Sequence, residues 1–174
     1  PGPDFPTGGV ICGRSGIRRA YHTGRSTIAV RARCEIEEHR KGRYRIVISE
    51  IPYTQTRDSV VEKIANLVKT DKVKGISGIK DVSDLKEPVK LLIDLKGDAD
   101  PEVVLNQLYR FSPMQTSFGC NMLALNGGRP EQLTLRGFLT AFVDFREDVV
   151  ARRTAYELRK ARERSHILCG LAVA

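Results

Sequence analysis

Ten of the first 45 residues are Lys or Arg, and five of them, Arg18, Arg19, Arg25, Arg31 and Arg33, fall at spacings that one short helix, a turn and one strand would carry. Clustered guanidinium groups without interleaved exposed aromatics suit contact with phosphate oxygens rather than stacking on bases or reading a groove. A solvated basic face is the competing reading. Asp81, Asp84 and Glu87 come nearest to a carboxylate cluster for a divalent metal, but a setting between two strands suits a solvated turn, so no metal ligand is assigned. Cys12, Cys34, Cys120 and Cys169 are far apart, with no C-x-x-C pair and no clustered His, which argues against zinc and against a disulfide framework. Reduced thiols in a cytoplasmic protein are expected. No G-x-x-x-x-G-K-[ST] loop is present, so the chain is expected to bind no ATP.

The elements that must position these arginines can be read from periodicity. Residues 1 to 9 hold three prolines and three glycines, a connecting loop. Ser15 to Thr23 predicts a short helix, with Ser15 as N-cap and Gly24 just past its end. From Ser26 the period becomes two: Ile28, Val30, Ala32, Cys34 and Ile36 face one way, while Thr27, Arg31, Arg33, Glu35 and Glu37 face the other, so Arg31 and Arg33 share one strand face. Arg40-Lys41-Gly42 turns the chain into a returning strand in which Tyr44, Ile46 and Ile48 point inward and alternate with Arg43, Arg45 and Ser49 on the outer face. Thr56 caps a helix to Lys69, Ile76–Val82 and Val89–Leu95 are strands, Asp100-Pro101 opens a helix, and Gln115–Leu125 is a strand closed by the loop Asn126–Pro130. This pattern describes an α+β domain, a mixed or antiparallel sheet with packed helices, over residues 1–133.

Residues 134–174 differ. They lack proline, and Leu135, Phe138, Leu139, Phe142, Phe145, Val149 and Tyr156 recur every three or four residues, predicting one long projecting helix. Beyond Val150 charges take over, with Asp148/Arg152, Arg153/Glu157 and Arg159/Glu163 at i,i+4 spacing, so the six basic residues from Arg152 to Arg164 are read as a solvated face and His166 as a packed helix residue. No apolar run suits a membrane span, and no membrane partner is expected. The net charge is +8, distributed as +6 over residues 1–45, −1 over 46–133 and +3 over 134–174, so a polyanion is the expected partner of localised basic surfaces. With Pro1 first and an apolar stretch last, the chain is expected to be a piece of a longer protein.

Several motifs run in order along the chain: Pro1-Gly-Pro-Asp-Phe-Pro-Thr7, Gly16-Ile-Arg-Arg-Ala-Tyr21, Thr23-Gly-Arg25, Arg31-Ala-Arg33, Glu50-Ile-Pro-Tyr53, Thr116-Ser-Phe-Gly119 with Asn121-Met122, Val149-Val-Ala-Arg-Arg-Thr154, and Glu157-Leu-Arg-Lys-Ala-Arg162 with His166-Ile-Leu168. Together they resemble the A subunit of bacterial type IIA topoisomerases, of the DNA gyrase rather than the topoisomerase IV kind. Ser26 stands where the Thr-Gly-Arg turn of that family more usually has a second glycine. The resemblance implies a tower domain followed by the first helix of a coiled coil that leads to a dimer gate. It also implies a parent enzyme that breaks, passes and reseals double-stranded DNA with ATP and Mg²⁺ bound elsewhere, partnered by the gyrase B subunit together with a second A subunit. Arg18, Arg19, Arg25, Arg31 and Arg33 become the expected DNA-binding residues, supporting and bending the duplex; the alternative is a mechanical spacer that touches no DNA. The nucleophilic tyrosine of the family follows an arginine, as Tyr44 follows Arg43, but the rest of that motif is missing. Tyr44 is expected in the core, and the chain alone is expected to be inactive.

Overall fold

The computed structural model describes residues 2–40 and 42–173. Pro1, the first residue of the loop motif, Lys41, at the centre of the expected hairpin turn, and Ala174 lie outside the described residues. The chain forms two compact units, Pro1–Ala20 with Arg25–Cys120, and Tyr21–Gly24 with Asn121–Ala174.

The first unit holds two sheets. Strands β1 (Val10–Cys12), β2 (Arg25–Arg31) and β7 (Gln115–Asn121) form one, in the order β1-β2-β7. Strands β3 (Arg33–Arg40), β4 (Arg43–Glu50), β5 (Ile76–Asp81) and β6 (Leu91–Leu95) form the other, in the order β3-β4-β6-β5, antiparallel throughout. Helices α2 (Arg57–Lys69) and α3 (Pro101–Phe111) bury Val60, Ile64, Leu67, Val104 and Leu108 against Ile46, Ile48, Leu91, Ile93 and Leu95 of this second sheet. Both helices start on side-chain caps. Thr56 Oγ1 accepts from the Ser59 amide at 3.3 Å, and Asp100 Oδ1 accepts from the amides of Glu102 and Val103 at 2.9 and 3.3 Å. Met114 and Ile51, fully buried just outside the regular elements, close the core.

The α+β architecture and the four helices agree with the reading of the sequence, and several details do not. The single strand expected from Ser26 is two strands in different sheets, broken at Ala32, whose N–H donates to Met114 O at 2.7 Å instead of to a ladder partner. Alternation could not reveal the break, because Ile28, Val30 and Ala32 are buried in sequence across it. Tyr44, expected in the core, is 41% exposed, because it lies near the turn end of the β3–β4 hairpin, beyond Ile46 and Ile48, which fill the space under the helices. Arg45, expected outward, is half-buried in an ion pair with Asp94.

In the second unit, the strand expected over Gln115–Leu125 is interrupted at Met122, and the expected loop is the turn of a hairpin between β8 (Leu123–Asn126) and β9 (Arg129–Gln132). Gly127 and Gly128 supply its two left-handed positions, and Pro130 is tolerated because this two-stranded sheet has only edges. Helix α4 (Leu135–Val173) has 39 residues and is therefore about 58 Å long. Thr134 Oγ1 accepts from the Gly137 amide at 3.1 Å at its start, and none of its residues is buried. No helix among the described residues is long and apolar enough to cross a membrane.

Candidate nucleic-acid interface

Helix α1 (Ser15–Thr23) carries Arg18 and Arg19, both exposed, while Ala20 is buried beneath them. The helix approaches β2 at Gly16, where an added Cβ would lie 2.7 Å from the Thr27 carbonyl oxygen; only glycine allows that approach. Strand β2 then buries Ser26, Ile28 and Val30 and turns Arg25, Thr27 and Arg31 outward. Arg25 and Arg31 are thus in phase at opposite ends of one strand, about 20 Å apart at the usual rise per residue.

Arg31 is held on two sides. Its guanidinium carbon lies 4.9 Å from the centroid of the Tyr109 ring, and its Nε donates to Gln115 Oε1 at 2.5 Å. Tyr109 is fixed in turn by donating its hydroxyl to Ala32 O at 3.2 Å. Burial pushes the Tyr109 hydroxyl above its ordinary range, reinforced by Cys34 and opposed by the charge of Arg31. Burial likewise raises the Cys34 thiol to about 11, offset in part by its hydrogen bond with Tyr109. Tyr109 is therefore a neutral ring under a cation, and Cys34 a neutral thiol beside it. The Arg31 side chain is ordered before any ligand arrives, which lowers the entropy cost of binding a phosphate.

Arg33 is placed otherwise. Its Nε lies 3.0 Å from Glu50 Oε1, and Glu50 Oε2 accepts from the Gly9 amide at 2.5 Å. Gly8 and Gly9 both have left-handed φ, at 70° and 91°, and a Cβ on Gly8 would fall within 2.5 Å of the Glu50 carboxyl, so the loop is shaped around that carboxylate. Arg33 and Arg31 do not share a strand face: they flank the Ala32 break, and the guanidinium of Arg33 faces an acid of the same unit. A neighbouring cluster was not foreseen from sequence. Phe5, Tyr53 and Phe118 meet with ring centroids 5.0, 5.7 and 6.0 Å apart, joining the N-terminal loop, the turn after β4 and strand β7. The available signal was that each of three separate motifs contains one aromatic residue.

The other candidates behave as side chains of turns and of an exposed helix. Asp81 Oδ1 accepts from the Ser83 amide, and Asp84 Oδ1 from the amides of Lys86 and Glu87. These hydrogen bonds hold both carboxyls below the ordinary range, with Ser83 the main cause for Asp81 and the Glu87 amide for Asp84. On α4, Arg152 pairs with Asp148 at 2.8 Å and Arg153 with Glu157 at 3.8 Å, as expected. The expected Arg159/Glu163 pair is replaced: Lys160 reaches Glu163 at 3.4 Å and Arg159 lies over the Tyr156 ring. His166, expected to pack, is exposed.

Residues 1–174 match the family model for the A subunit of DNA gyrase/topoisomerase IV. The chain is 55% identical over 174 residues to the DNA gyrase A subunit of Granulibacter bethesdensis, covering 100% of this chain and 18% of that protein. It is 53% identical over 174 residues to that of Haemophilus influenzae, covering 100% and 20%, and 50% identical over 173 residues to that of Staphylococcus epidermidis, covering 99% and 19%. The chain thus spans about one fifth of the length of these relatives. With its motifs in register over the whole length and the arginine-bearing strands built as described, the chain belongs to the family of DNA gyrase/topoisomerase IV A subunits.

Proposed function

We propose that this chain is the part of a type II DNA topoisomerase that holds the duplex flanking the break, favours its bending through phosphate contacts, and joins it mechanically to the dimer gate. In this reading residues 1–133 are the tower and residues 134–174 the first helix of a coiled coil. Cleavage belongs to a tyrosine elsewhere in the parent, with ATP and Mg²⁺ also held there, and the partners in the cytoplasm are double-stranded DNA, the gyrase B subunit, plus a second A subunit. Similarity to gyrase A subunits along the entire chain supports the parent. The observation that carries the DNA contact is Arg31, fixed on Tyr109 and Gln115 with its outer edge unburied. Bending a short duplex costs on the order of several kcal/mol, and fixed cations that meet its phosphates offset that cost.

Arg18, Arg19, Arg25, Arg31 and Arg33 are the proposed contacts, Arg33 with the difference that Glu50 competes for it. The test is the salt dependence of duplex binding by the chain with Arg25, Arg31 and Arg33 all changed to Ala. Affinity should fall about equally for every duplex sequence, and the slope of log affinity against log salt should flatten by roughly one unit per lost contact. A folded triple variant with unchanged affinity and slope would make the chain a mechanical spacer.

A further inference from the structure

One end of the second sheet holds a small cavity to which every strand of that sheet contributes. It has a volume of about 220 Å³, opens to solvent and is lined by His39 of β3, Arg43 and Tyr44 of β4, Ser77 and Lys80 of β5, and Asp94 of β6. Two of these residues come from irregularities in the ladders. Pairing of β3 with β4 shifts register between Glu38 and Arg40, so His39 is the extra residue; pairing of β5 with β6 shifts between Ile76 and Gly78, so Ser77 is the extra residue. Strands β3 and β5 are the two edges of the sheet, and each bulges where it borders the same cavity. Bulges re-aim side chains that regular pleating would send elsewhere.

The charges are arranged asymmetrically. The single acid, Asp94, is already engaged on both oxygens, by Arg45 Nε at 2.5 Å and Lys80 Nζ at 3.4 Å. Partial burial would raise its carboxyl, but the hydrogen bond and charge of Arg45, helped by Lys80, hold it below the ordinary range. Glu38, across from Tyr44, gives one oxygen to the Gly42 amide at 3.0 Å. Arg43 and His39 enter no ion pair among the described residues. What remains is a concave surface bearing Arg43, the donors of Lys80 that Asp94 does not take, the His39 ring and Tyr44, a set richer in donors than in acceptors. Its volume lies below the roughly 300–1,000 Å³ of sites for drug-sized ligands, so it fits one small group. A tetrahedral oxyanion matches such a set of cationic and hydroxyl donors.

We propose that this cavity is a binding site for a phosphate group. His39 is six residues along β3 from Arg33, about 20 Å at the usual rise, so the site is separate from the arginines of the β2–β3 junction and does not depend on their role. The phosphate can be supplied in two chemical forms, as a backbone phosphate of nucleic acid or as a free phosphate anion, and the same donors serve both.

The test is a chemical-shift titration of the 174-residue chain, with sodium phosphate at ionic strength held constant by chloride, and in a second arm with a short DNA duplex. A saturable response to phosphate at the amides of His39, Arg43, Ser77 and Lys80 is expected, with Arg43→Ala and Lys80→Ala each weakening it about tenfold. Duplex DNA moving those amides at lower concentration, with phosphate competing, assigns the site to nucleic acid; phosphate alone moving them assigns it to a free anion. Either result supports the site. No saturable response to either probe, or equal responses in wild type and both variants with their spectra otherwise unchanged, overturns it.

Discussion

Arg31 ends strand β2 with its guanidinium against Tyr109 and its Nε on Gln115, whereas Arg152 lies on α4 and pairs with Asp148 of its own helix at 2.8 Å. Both are exposed arginines in basic stretches, and formal charge does not distinguish them. The first is positioned by residues 78 and 84 places away in sequence, one of which, Tyr109, packs against a core of buried Ile, Leu and Val. The second is positioned by its own helix, where no residue is buried. A cation fixed by tertiary contacts presents donors in a set geometry, while one on a solvated helix contributes charge without direction. The same contrast separates the two units: one holds the apolar core and the other is a hairpin and a helix with exposed apolar residues.

The contrast is sharpest in the cores. Ile48→Ala removes a side chain with no exposure, and it should cost about 2–5 kcal/mol in denaturant unfolding, while Leu139→Ala, at a position 59% exposed, should stay within about 0.5 kcal/mol. Equal effects would mean that α4 is buried in the chain as it exists in solution. A smaller effect is expected at the Arg45–Asp94 pair, whose side chains are only 13% and 21% exposed. Asp94→Asn should cost about 1–2 kcal/mol, between the values for surface and buried pairs. Because the folded Asp94 carboxyl is held below its unfolded value, its stabilisation is present above the ordinary carboxylate pKa and lost as pH falls through the folded value. The variant should accordingly lose less stability than wild type between neutral and acidic pH; an unchanged acid limb would place the cause in other carboxylates.

Tyr109→Phe keeps the ring under Arg31 and removes the hydrogen bond to Ala32 O, so about 1 kcal/mol should be lost while the DNA contact proposed for Arg31 is retained. Tyr109→Ala should remove both. If the two variants bind duplex equally, the ring does not position Arg31. Smallest of all, Arg152→Ala should change stability by no more than about 0.5 kcal/mol, since the Asp148 pair is exposed and screened by salt. A larger loss would show that α4 is organised by more than its own turns.

Much of the molecule was legible before folding. Thr56 and Asp100 announced their helices because a cap is a local bond between a side chain and an amide two or three residues on, and the 39-residue final helix was legible from unbroken periodicity without proline. The Ala32 break was not, since a chain that leaves one sheet for another can keep its alternation of buried and exposed residues. Tyr44 was misplaced because parity gives the face of a strand and not how far the core extends along it. Arg45 was assigned to solvent for the same reason, its acid partner lying 49 residues away. The second strand of the β8–β9 hairpin was hidden by Pro130, which a central strand would exclude and an edge strand tolerates.

Local chemistry therefore sufficed for element types, for the uneven charge and for the five candidate arginines. Family motifs, also carried by sequence, sufficed for kinship. Only the tertiary structure decided what three of the arginines meet: Arg31 an aromatic ring and an amide, Arg33 the Glu50 carboxylate and through it the Gly8–Gly9 loop, and Arg43 a cavity bounded by two bulges. The reason is range. A helical pair or a cap is set by neighbours three or four residues apart, whereas the partners of these cations come from segments that meet only when the sheets and helices have closed their core.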